Sequence, residues 1–75
     1  MTRDKISSMI AFTLNGEIQR RAAAVSLAAL LDELGLSGKR LAVEKDGQIV
    51  PRSQHDCTMI EAGCQLEIVV AVGGG

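Results

Sequence analysis

The hydrophobic period of this chain changes twice, and those two changes limit what it can fold into. Ile10, Phe12 and Leu14 alternate with Ala11 and Thr13, the period of a strand with one buried face. Leu27, Leu30, Leu31 and Leu34 then fall at i, i+3, i+4 and i+7, the stripe of a helix packed on one side, with Asp32 and Glu33 pointing away. Alternation returns at Leu66, Ile68, Val70 and Val72. A short helix bounded by strands implies an α+β domain in which the helix covers one face of a mixed sheet. The chain has 75 residues, enough for one domain, and with one Phe and neither Trp nor Tyr its core must be aliphatic.

The helix carries its own start and stop signals. Ser26 is placed to cap it by accepting an early backbone N–H, and Val25 can staple onto Leu30. Gly35 can adopt the left-handed conformation that ends a helix, and Leu36 can close against Leu31 as in a Schellman motif. Further on, Leu41–Lys45 and Gln48–Val50 flank Asp46-Gly47, a strong hairpin signal that sets Val43 opposite Val50. Pro51, with no N–H to offer, ends that pairing. From Arg52 to Gly63 no period is sustained, which predicts a loop with one helical turn around Ser53 to Cys57.

The first hairpin turns at Asn15-Gly16. A two-residue turn would set Leu14 opposite Glu17 and put Ile18 on the outer face. A bulged loop over Asn15-Gly16-Glu17 instead sets Leu14 opposite Ile18, Phe12 opposite Arg20 and Ile10 opposite Ala22, and is the register expected from an apolar inner side.

The last strand runs into Val72-Gly73-Gly74-Gly75, which places the α-carboxylate of Gly75 on three residues without side chains. Glycine visits backbone angles closed to other residues, so Gly73 and Gly74 can thread a channel little wider than the backbone. The tail is expected to be flexible and Gly75 to be its reactive end. Residues 1–8 are polar and aperiodic and are expected to be a disordered extension, with the domain over 9–72 and the tail over 73–75. Val69 and Ala71, on the outer side of the last strand, and Val72 at the root of the tail leave an apolar strip suited to docking a partner.

Eight Lys and Arg against nine Asp and Glu give no basic surface for nucleic acid, and no apolar run reaches the length of a membrane span. A cytoplasmic protein is expected. Cys57 and Cys64 match neither a zinc-ligand set nor a redox Cys-x-x-Cys motif and read as reduced thiols that pack or face solvent. His55 has no nucleophile or metal to serve and reads as a surface loop residue. No catalytic or metal-binding constellation emerges, and no stably bound cofactor is expected.

With the last strand lying parallel to the first in the centre of the sheet, these elements assemble into the β-grasp, or ubiquitin-like, arrangement. Leu14-Asn15-Gly16-Glu17, Leu30-Leu31-Asp32-Glu33-Leu34-Gly35-Leu36, the run from Val43 through Asp46-Gly47 to Val50-Pro51-Arg52-Ser53, and Val72-Gly73-Gly74-Gly75 resemble the ThiS sulfur carriers of thiamine biosynthesis. The resemblance implies a carrier, not an enzyme. Its terminal carboxylate, here that of Gly75, would be adenylated by an ATP-using, E1-like enzyme of the ThiF type. Sulfur from a cysteine persulfide would replace AMP, and the thiocarboxylate would serve a ThiG-type thiazole synthase. Alternatives on the same fold are the small subunit of a molybdopterin synthase, a ubiquitin-like modifier conjugated through Gly75, and a binding module that recruits a partner by its sheet edge or apolar face.

Overall fold

The computed structural model of the protein describes residues 9–71; the expected extension at 1–8 and the tail from Val72 to Gly75 lie outside the described residues. Helix α1 covers Leu27–Glu33 and ends as its sequence dictates. The Ser26 hydroxyl accepts the Ala29 N–H at 3.0 Å. At the other end, the N–H of Leu36 donates to the Leu31 carbonyl at 2.8 Å and that of Gly35, at φ +76°, to Asp32 at 3.1 Å, completing a Schellman motif. Leu27, Leu30 and Leu31 are buried while Asp32 and Glu33 face water.

The helix packs on a five-stranded sheet built from β1 (Ile10–Leu14), β2 (Glu17–Arg21), β4 (Leu41–Lys45), β5 (Gln48–Ile49) and β7 (Gln65–Val70), in the order β2-β1-β7-β4-β5. β7 is central, parallel to β1 and antiparallel to β4, as the β-grasp arrangement requires. It alternates as one covered and one open sheet face demand: Leu66 and Ile68 are buried under the helix, Gln65, Glu67 and Val69 are exposed. With Phe12, Val43, Ile60 and Cys64 they close an otherwise aliphatic core. The Asp46-Gly47 turn has positive φ at both residues, and Val50 donates to the Val43 carbonyl at 2.9 Å, so the second hairpin has the expected register.

The first hairpin does not. Leu14 pairs with Glu17, Thr13 with Ile18, Phe12 with Gln19 and Ile10 with Arg21, the register of a two-residue turn. Asn15 (φ 52°) and Gly16 (φ 86°) both take the left-handed conformation of a type I′ turn, whose twist matches the strands without a bulge. The expected bulge rested on an apolar inner side for β2, but β2 is an edge strand and needs none. Its inward positions are Glu17, Gln19 and Arg21. Arg21, not Arg20, covers the rim of the core: its guanidinium lies 5.8 Å from the Phe12 ring centroid and pairs with Glu33 on the helix. Ile18 is left 64% exposed on the outer face.

Between the second hairpin and β7, a single 3₁₀ turn forms at Arg52–Gln54, slightly earlier than expected. The segment also contains β6 (Met59–Ile60), which pairs antiparallel with β3 (Val25–Ser26) in a small second sheet that the sequence pattern does not reveal. That pairing buries Ile60 completely.

Candidate functional site

The candidate site is the end of β7, from which the chain continues to Gly75. Being central, β7 is gripped on both sides over most of its length. On the β4 side the register runs from Lys45 opposite Leu66 to Leu41 opposite Val70, and the Ala71 N–H donates to the Arg40 carbonyl at 2.9 Å. On the β1 side the pairs are Thr13 with Gln65 and Leu14 with Leu66. Beyond them Asn15 takes over: its backbone N–H donates to the Leu66 carbonyl at 2.9 Å, and its side-chain amide bonds the backbone of Ile68. Nothing in the turn signature of Asn-Gly announces that contact, which joins residues 53 positions apart.

Of the expected docking residues, Val69 is 66% exposed on the open face and Ala71 is exposed beside it. Val72, Gly73, Gly74 and Gly75 lie outside the described residues. Ala42, opposite Val69 on β4, extends the apolar strip, and Ile49 on β5 and Ile18 on β2 add further exposed apolar side chains on the same face. Glu44 and Glu67 face each other across β4 and β7, and neither forms a salt bridge among the described residues. The open face thus combines apolar surface at the root of the tail with two carboxylates that form no salt bridge among the described residues.

The remaining candidates are dispersed. Cys57 is exposed and Cys64 is buried, and burial raises the Cys64 thiol above its ordinary range, which keeps it protonated and a poor nucleophile at neutral pH. His55 is half-buried, its Nε2 3.2 Å from the Val50 carbonyl, so it fastens the 3₁₀ turn to the second hairpin instead of standing free in solvent. A hollow of about 270 Å³ between the helix C-terminus and the 3₁₀ turn is lined by Leu31, Leu36, Lys39, Leu41, Arg52 and His55, and the Arg52 guanidinium donates to the Lys39 carbonyl at 3.1 Å. Among the described residues no three His, Cys, Asp or Glu side chains could jointly hold a metal ion, and no helix is long and apolar enough to cross a membrane.

A five-stranded sheet covered by one helix, whose central strand leads into a glycine tail, defines a β-grasp, or ubiquitin-like, protein. The chain belongs to the ThiS family, whose sequence profile matches residues 7–75. It is similar to the crystal structure of the thiamine biosynthesis protein ThiS from Geobacter metallireducens, with a TM-score of 0.75 and 25% identity over 88% of this chain and 100% of that one. A thiazole synthase from Paramagnetospirillum magneticum is 40% identical over 62 residues, which are 83% of this chain and 19% of that protein. The chain therefore spans about a fifth of the length of that relative. An uncharacterized protein, ycf40, from Pyropia yezoensis is 33% identical over 70 residues, 93% of this chain and 99% of that one.

Proposed function

We propose that this chain is the sulfur carrier for thiazole formation in thiamine biosynthesis, acting in the cytoplasm as a co-substrate and not as an enzyme. The carboxylate of Gly75 attacks the α-phosphorus of ATP on an E1-like enzyme of the ThiF type and displaces pyrophosphate. That step is needed because a free carboxylate has no adequate leaving group. The outer sulfur of a cysteine persulfide then bonds to the acyl carbon and AMP departs. Cleavage of the remaining S–S bond by a thiol frees the thiocarboxylate, which a ThiG-type thiazole synthase consumes. ATP belongs to the activating partner, and the carrier supplies no acid, base or bound cofactor.

The observation that carries this reading is the family match, which runs through Gly73-Gly74-Gly75. The fold supports it, since the strand leading to those glycines is anchored in the middle of the sheet. The thiazole synthases that contain a region similar to this chain support the choice of final acceptor. The test is to append one alanine after Gly75 and, separately, to make Gly74→Val, then to measure ATP–pyrophosphate exchange with the cognate activating enzyme and thiocarboxylate by mass. A displacement of about 1 Å from reactive geometry lowers the rate on the order of a hundredfold, so both variants should lose activity while melting like the parent. Parental activity in both would overturn the carrier reading, and lysine-linked conjugates in place of thiocarboxylate would make the chain a modifier.

A further inference from the structure

The strand that leads to the tail is held by unequal means on its two sides. Toward β4, main-chain pairing continues as far as Ala71. Toward β1, strand pairing ends with Leu14 opposite Leu66, yet the next backbone group on that side, at Ile68, is fully paired. The Ile68 N–H donates to Asn15 Oδ1 at 2.8 Å, and Asn15 Nδ2 donates to the Ile68 carbonyl at 3.2 Å. A single primary amide thus supplies the donor and the acceptor that one more residue of β1 would have supplied. The turn itself does not require this side chain, because glycine satisfies the first central position of a type I′ turn as well as asparagine does.

The geometry points to Asn15 as a positioning residue for the reaction at Gly75: its amide fixes the direction in which β7 leaves the sheet, and hence where the terminal carboxylate is delivered once the body has docked. This rests on the carrier reading given above. Gly75 lies seven residues beyond Ile68. Ala71, the last described residue, lies three extended residues or about 10 Å beyond Ile68, so a swing of about 10° at Ile68 carries the root of the tail about 2 Å. Acyl activation loses roughly a hundredfold for about 1 Å, so a small loss of direction at the root matters at the carboxylate. Asn15 is not among the apolar residues of the outer face expected to dock a partner, so the defect belongs in turnover and not in affinity.

The experiment compares the full chain with Asn15→Gly, which keeps the turn and removes both bonds, and with Ser26→Ala, which removes the helix cap and lowers the melting temperature by about 5 °C without touching β7. ATP–pyrophosphate exchange with the cognate activating enzyme is measured against carrier concentration. Asn15→Gly should lower kcat about five- to twentyfold with KM within about twofold of the parent, while Ser26→Ala keeps the parental kcat. Parental kcat in Asn15→Gly, or an equal loss in Ser26→Ala, overturns the inference while leaving the carrier reading intact. No exchange with the parent chain overturns both.

Discussion

Val69→Lys separates docking from folding because Val69 sits on the tail-bearing strand yet makes little of the core. Its side chain is 66% exposed, and complete burial of a valine stabilises by at least about 1.5 kcal/mol, so closing a partner over it contributes about 1 kcal/mol. A lysine forfeits that and must bend its ammonium out of the contact, which adds about 1 kcal/mol. Together these raise KM for the activating enzyme about five- to thirtyfold. The fold loses much less. Replacing valine in a strand costs at most about 1 kcal/mol, or roughly 4–8 °C in a domain of this size, and the new ammonium comes onto the same face as the unpaired Glu67 and Glu44 carboxylates, which offsets part of that. Val69→Ala removes the burial without adding a charge and should raise KM about two- to threefold. The assay is pyrophosphate exchange at varied carrier concentration beside a thermal melt. An unchanged KM in folded Val69→Lys refutes the docking role of this face.

Ile60→Ala empties a fully buried position and should destabilise by about 2–5 kcal/mol in urea titrations, comparable with the whole stability of so small a core. Burial raises the Cys64 thiol, so the unfolded chain gives up its proton first; stability is complete below the ordinary thiol value of 9.0 and falls as pH rises through the window above it, a slope absent from Cys64→Ala in melts taken across that range. In native protein Cys57 should react with a thiol reagent at once and Cys64 only on unfolding. Deleting residues 1–8 should leave both the melt and the exchange rate unchanged.

Where a structural decision is local, its residues announce it. Ser26, Gly35 and Leu36 define both ends of the helix, and Asp46-Gly47 fixes the second hairpin, because caps and type I′ turns depend on residues within one turn of one another. The first hairpin was harder to read because the inner side of an edge strand is allowed to be polar. Glu17, Gln19 and Arg21 there look like an outer face until the helix is in place to pair Arg21 with Glu33. β3 and β6 are two residues each, too short to show a period, which is why the burial of Ile60 could not be foreseen. At the candidate site, the exposure of Val69 and Ala71 follows from simple alternation. The grip of Asn15 on Ile68 depends on a contact that only the assembled sheet creates.

The central position of β7 also determines how the body responds to force. A partner that draws the tail into a channel pulls along the axis of a strand flanked by β1 on one side and β4 on the other. Both ladders are then loaded in shear, with their hydrogen bonds strained together and not one after another as when an edge strand is unzipped. A load that enters at the end of β7 is therefore shared by the whole domain instead of peeling it apart.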